Sequence, residues 1–475
     1  MIRRILVKFL GISILIVCAG ISSAQTPGKY DAIYSGVPWY DDRGEIVSAH
    51  GANIIKDKGR YYLFGEVHTD SSNAFAGFNC YSSADLYNWR FESVALPVQS
   101  SGKLGPNRVG ERPKVMRCPQ TGKYIMYMHV DTLGYTDQFL GYATSASITG
   151  PYSFRGPLLF EGKPIRRWDM GTFQDRDGSG YVLIHGGAIY KLNEDYKSIS
   201  EQINENIASG FESPAMFRKD NTYYFIGSHL TSWERNDNDY YTSNSLKGPW
   251  KKQGFIAPEG TLTWNSQSSF VLPVEGSPDT TYMFMGDRWS FPKQRSAATY
   301  VWQPLTVSGS SLSIQRYDQA WRIDPSTGVS MPSDLSGWKT LENTEFKNIR
   351  YRGDWKHSGA HDSLSLSSSD VKDASFSVDF KGRQVGIYCL AQQENGYAQV
   401  VLSDKGGKKL ISTIVDMYAK NAVCELRFIS PLLPKGEYTL TVSVLAERPN
   451  WSDKRKNDYG STGYFVALDR LVIRK

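Results

Sequence analysis

Five polar residues carry the clearest chemistry in this sequence. His50, Glu111, Asp169, Glu212 and Gln267 stand 11, 13, 12, 11 and 15 residues ahead of Tyr61, Tyr124, Tyr181, Tyr223 and Tyr282, and each tyrosine opens a short apolar run. Three carboxyls, an imidazole and an amide at matched places in a repeat meet on one axis if the repeat is cyclic. Like charges in one cavity repel, so such a cluster persists where the coupling serves a purpose, such as setting a proton affinity. A carboxylic acid that keeps its proton, beside a second group that directs water or attacks a sugar, is the equipment of glycoside hydrolysis. Competing chemistries lack their signatures: there is no Gly-Xaa-Ser-Xaa-Gly elbow, no His-Glu-Xaa-Xaa-His pair and no phosphate-cradling glycine loop.

The elements that position these residues are hairpins. Asn53-Ile54-Ile55 turns through Lys56-Asp57-Lys58-Gly59 into Tyr61-Tyr62-Leu63-Phe64, and the same pattern returns at Gln120-Thr121-Gly122, Asp175-Arg176-Asp177-Gly178, Lys219-Asp220-Asn221 and Gly276-Ser277-Pro278-Asp279. Turn residues between β-rich runs mark hairpins. All copies but the third continue into two further strand-like pieces, such as Tyr81-Ser82-Ser83 and Trp89 in the first. Four strands recurring at this spacing predict the blades of a five-bladed β-propeller, whose innermost strands bring matched residues to one channel.

The ends of the chain read differently. Arg3, Arg4 and Lys8, then an apolar run from Phe9 to Val17 and Ser22-Ser23-Ala24, predict a secretory signal over residues 1–24, and so an exported protein, periplasmic or extracellular. Cys18 sits in a poor lipobox, because Val17 before it is not small. Without the leader's three basic residues the net charge falls from +6 to +3, too little for a dedicated nucleic-acid binder. No later apolar run reaches the ~20 residues of a membrane span. The propeller is expected over 25–325, a Ser/Gly/Pro-rich linker over 326–336, and a second all-β domain, a jelly-roll sandwich, over 337–475. There Tyr351, Trp355 and Trp451 are candidates for a sugar platform or for packing. Cys80, Cys118, Cys389 and Cys424 match no zinc-site spacing and suit either disulfides or buried thiols.

Motifs then narrow the reading. Asp169-Met170-Gly171-Thr172-Phe173 ahead of Asp175-Arg176-Asp177-Gly178, with Glu212-Ser213-Pro214-Ala215, resembles glycoside hydrolase family 43 over residues 30 to 325. Ala49-His50-Gly51-Ala52, Glu111-Arg112-Pro113-Lys114, Ser228-His229-Leu230-Thr231-Ser232-Trp233 and Trp264-Asn265-Ser266-Gln267 resemble its exo-acting galactan β-1,3-galactosidases. The resemblance implies an inverting enzyme that releases galactose from the β-1,3-galactan backbone of arabinogalactan. No cofactor or metal is expected, and a monomer is. It implies Glu212 as general acid and Asp169 as the residue that raises and orients it. Most of the family places an aspartate base where this chain has His50-Gly51. Gln267 is then implied to position the water, as an amide or an imidic acid, with Glu111 near the sugar; by intrinsic basicity Glu111 is the better proton acceptor. His50, Tyr135, Thr231, Trp233 and Arg112 complete the expected substrate contacts, with Arg112 and Arg288 pairing with pocket carboxylates and His185 and His229 as possible channel residues. The rival readings are an arabinofuranosidase or galactofuranosidase of the same family, and a glycan-binding propeller that has lost its base.

Overall fold

A computed structural model describes residues 29–358, 365–453 and 455–475; the expected signal at 1–24 lies outside them. The described chain is all-β, with only single-turn helices between strands. Five four-stranded antiparallel sheets follow one another along the chain. Their first strands are His50–Asp57, Arg108–Arg117, Met170–Gln174, Phe211–Lys219 and Gln267–Glu275. Each of these packs against the next, and the fifth packs against the first, so they close a ring.

Local sequence explains the hairpins. Asp57 pairs with Arg60 across Lys58 and Gly59, whose φ values of 47° and 80° are left-handed at both central positions. That is the turn whose twist suits two antiparallel strands. The third copy, which seemed to stop after two strands, also has four, because Ala188–Leu192 and Ile199–Asn204 complete its sheet. Its last strand, Ile199–Asn204, buries only Ile199, which weakens the apolar signal.

Residues 326–336 are not a plain linker. Val329–Pro332 forms a hairpin with Ala320–Asp324, which pairs in turn with Ile33–Tyr34 and fastens the start of the described chain to the end of the ring. Beyond it two antiparallel sheets of six and five strands face each other. The strand Ser375–Gly382 alternates as a one-sided strand should, with Phe376, Val378 and Phe380 buried. One apolar cluster runs from Trp39, Trp302 and Trp321 into Phe376, Leu440 and Leu468, so the two parts share a core. Trp355 and Trp451 are buried, Tyr351 packs on Trp355 and Trp451 stacks on Tyr459, so these aromatics pack in two separate places and form no single sugar platform. The four described cysteines are free thiols, three of them buried.

Candidate active site

Four of the five innermost strands are interrupted just after their polar residue. The pairing shifts register between His50 and Asn53, Glu111 and Lys114, Glu212 and Ala215, and Ser268 and Phe270. In three copies the next residue, Gly51, Arg112 or Ser213, has φ near 55°. Bulges of this kind re-aim a side chain and are common beside active sites. Gly51 has no alternative: a Cβ there would stand 2.1 Å from Glu66 Oε1.

Glu212, Gln267, Asp169 and Arg112 form one bonded group. Gln267 Nε2 donates to Glu212 Oε1 at 3.0 Å and to Ser228 Oγ at 2.9 Å. Its Oε1 accepts from Arg112 Nη2 at 2.6 Å and from the Trp289 indole at 2.8 Å. Arg112 and Trp289 can only donate, so the amide has one satisfying orientation and both of its ends are filled. Arg112 also meets Asp169 Oδ2 at 3.1 Å, and Ser213 Oγ donates to the same oxygen at 2.9 Å.

These contacts separate the two carboxyls. Burial first, and then the Asp169 charge, hold Glu212 well above the ordinary carboxylate range, against the opposing pull of Arg112 and the Gln267 N–H. Burial pushes Asp169 upward too, but Arg112, His129 and the Ser213 hydroxyl outweigh it and leave Asp169 below its usual value. Glu212 is the protonated partner and Asp169 the ionised one, the division of labour an acid catalyst needs.

Glu111 occupies a second group. Tyr135 donates to its Oε1 at 2.6 Å, and His129 Nδ1 lies 2.9 Å from its Oε2. His129 Nε2 is 3.3 Å from Asp131. Burial opposes the His129 charge, yet Asp131 and Glu111 together raise its pKa to about 9, so it is an imidazolium at neutral pH. Glu111, His129 and Asp169 offer atoms within 4.8 Å of one another, a spacing that a cation could bridge. The imidazolium, paired through both ring nitrogens, supplies positive charge that compensates these carboxylates.

The remaining expected residues divide. His50 is buried, 3.0 Å from Asp287 and stacked on Tyr300 at 4.5 Å, which makes it part of the wall. Trp233 is half-buried, edge-on to Trp289 at 5.2 Å and coplanar with Phe291. The Thr231 hydroxyl is spent in its own turn, donating to Glu234 O and accepting from Asn236. His185 stands over Trp168 beside Asp169, whereas His229 is half-buried and pairs with Asp239. Arg288 departs from expectation: it pairs at 2.8 Å with Glu425 of the C-terminal sheets and with no pocket carboxylate.

Sequence reasoning missed Glu66, His129, Ser228, Asp287 and Trp289. The first four lie directly across from His50, Glu111, Glu212 and Gln267 on the second strand of each copy. Glu66 accepts from the Arg112 backbone at 2.7 Å, and Asp287 accepts from that of Gly51 at 3.1 Å.

A half-buried acid that keeps its proton, beside an ionised neighbour at one end of a ring of sheets, is the equipment of a glycosidase. Residues 47–266 match the model of glycosyl hydrolases family 43. An exo-β-1,3-galactanase from Phanerochaete chrysosporium, solved with galactose and with β-1,3-galactotriose, is 25% identical at a TM-score of 0.70, and the galactose structure covers 93% of this chain and 100% of that one. A Bifidobacterium bifidum protein provisionally described as an exo-β-1,3-galactanase is 36% identical over 59% of this chain and 95% of its own, at a TM-score of 0.56. The arabinoxylan arabinofuranohydrolase of Bacillus subtilis is 25% identical over 240 residues, 41% of this chain, which spans less than half of that relative's length, 45%. The chain belongs to glycoside hydrolase family 43.

Proposed function

We propose that this protein is an exported, inverting exo-β-1,3-galactosidase that removes galactose from the ends of β-1,3-galactan. In this reading residues 25–325 are a five-bladed catalytic propeller and 337–475 a jelly-roll sandwich. The observation that carries it is the half-buried, proton-retaining Glu212 hydrogen-bonded to Gln267 and flanked by Asp169, in a chain similar to galactanases that hold galactose and β-1,3-galactotriose.

Glu212 donates its proton to the departing glycosidic oxygen, and Asp169 keeps that proton in place until then. The 3.0 Å contact between Glu212 and Gln267 is far shorter than the ~6.5–9.5 Å that inversion requires between acid and water-directing group. Substrate therefore enters by parting this pair. Glu212 turns to the leaving oxygen, and the freed Nε2–H of Gln267 holds the water. A second reading concerns where the water's proton goes. Both acceptor sites of Gln267 Oε1 are filled by obligate donors, which opposes an imidic acid O–H there. Glu111 keeps lone pairs beyond its bonds to Tyr135 and His129 and is the better acceptor.

Anomer-resolved NMR of digests tests the reading. Linear β-1,3-galactan should yield galactose first seen as the α-anomer, while an arabinofuranosyl substrate stays intact. Arabinose release without galactose would overturn it, and first-formed β-galactose would overturn inversion.

A further inference from the structure

Gln267 is gripped from two directions, and both grips lead to the C-terminal sheets. Ahead of it Leu262, Thr263, Trp264 and Asn265 all have left-handed φ, between 53° and 60°. Four consecutive non-glycine residues in this region are sterically disfavoured and persist only where their surroundings over-determine them. Arg288 does this, donating from Nε to Asn265 O at 3.1 Å and from Nη2 to Trp264 O at 3.2 Å. Its guanidinium is itself fixed by Glu425, on the strand Val423–Ile429, at 2.8 Å.

The other grip is on the amide oxygen. Trp289 donates to Gln267 Oε1, and the backbone that carries Trp289 is clamped at its next residue. Ser290 Oγ donates to Asp416 Oδ2 at 2.8 Å, and Tyr397 Oη donates to Ser290 O at 3.1 Å. Arg235 donates to Trp289 O and lies 3.9 Å from the Asp416 carboxylate. Arg235, Asp416, Arg288 and Glu425 are all buried at this seam. A tethered sugar-binding module needs no such buried charges, whose desolvation is costly. Here both pairs end on backbone that adjoins Gln267 or its indole partner.

We infer that the C-terminal β domain is part of the catalytic apparatus, with Glu425, Asp416 and Tyr397 as positioning residues that act through Arg288 and Ser290 to fix the Gln267 amide. The inference rests on the proposed role of Gln267 in placing water. It also makes the domain necessary for turnover on substrates too short to reach a second sugar site.

The test uses the full chain with Ser290→Ala/Tyr397→Phe, and separately Glu425→Gln, on a β-1,3-galacto-oligosaccharide, together with hydrogen exchange without substrate. Turnover should fall ~10-fold or more with KM within about 3-fold of wild type. Exchange should quicken at residues 261–270 and 287–291 and stay unchanged elsewhere in the ring. Wild-type exchange at 261–270 in Glu425→Gln, wild-type exchange at 287–291 in the double variant, or unchanged turnover would overturn the inference. So would loosening spread evenly through the protein, the mark of a merely structural seam. Should Glu425→Gln fail to fold, the double variant, which removes no charge, still decides. If the wild type itself leaves galactan intact, the proposed activity fails, and the exchange pattern alone judges the coupling.

Discussion

Replacing Glu212 by Gln isolates one proton. The amide oxygen can still accept from Gln267 Nε2, whose present bond to Glu212 is 3.0 Å, and the new N–H₂ has the ionised Asp169 among its neighbours. No buried charge is stranded, so the fold and sugar binding should stay near wild type. Only the proton that burial and Asp169 hold on the carboxyl is lost. General acid help of ~10²–10⁴ in rate corresponds to about 3–5 kcal/mol of barrier. Turnover on β-1,3-galactobiose should fall by that factor, whereas an aryl β-galactoside whose phenolate leaves unaided should lose about 10-fold or less. Initial rates on both substrates, with affinity from calorimetry, separate the cases. More than about a tenth of wild-type turnover on the galactobiose would remove Glu212 from the role of acid. Equal loss on both substrates would point to a collapsed pocket instead.

Three further outcomes follow from the same contacts. In Asp169→Asn the alkaline limb of the pH–rate profile should move to lower pH, because the lost negative charge, and an Arg112 freed from its partner, both favour ionised Glu212; an unmoved limb refutes the pairing. The His129 ion pairs raise its pKa to about 9, so their stabilisation should be full below the ordinary histidine value and fade as pH climbs through about 9. Thermal melts of wild type and His129→Gln should therefore converge with rising pH, and a constant gap would count against a charged His129. Deleting residues 337–475 takes Glu425 and Asp416 from Arg288 and Arg235 and uncovers the apolar core that the two parts share. Insoluble or inactive protein is expected, and a soluble, fully active fragment would show the seam to be dispensable.

Much of the ring was legible because its repeat is carried by tyrosine-led strands and turn residues, both local signals. The first row of pocket residues came from counting back from each tyrosine. Counting forward would have found the second: Glu66, His129, Ser228 and Asp287 stand five residues after theirs, and His185 four. Antiparallel pairing places the two rows opposite each other, so the period that revealed one contained the other. Other features had no such signal. Arg288 belongs to that second strand, yet its partner Glu425 lies 137 residues away, beyond the reach of any periodicity. Tyr351, Trp355 and Trp451 looked like a sugar surface by residue type, but aromatics bury as readily as they stack, and type alone cannot tell which. The linker prediction at 326–336 failed because Ser, Gly and Pro suit an edge hairpin as well as a loose segment.

The departure at His50 is best understood through Arg112. Where a carboxylate was expected, His50 is tied to Asp287 and stacked on Tyr300, so the charge sits one strand over, on a residue whose oxygens hold His50 and the Gly51 amide. Acid strength and water placement are then linked by one guanidinium. Arg112 takes a left-handed φ of 55°, its N–H donates to Glu66, and its side chain reaches Asp169, Gln267 and the Ser268 carbonyl together. A lysine could supply the charge but not a planar fork with several fixed donors. The same cation that pulls Asp169 below its normal range, and so leaves a full negative charge to keep Glu212 protonated, also fills one acceptor site of the Gln267 amide. Proton retention on the acid and orientation of the amide are thus a single electrostatic arrangement, and neither could be tuned by substitution at Arg112 without changing the other.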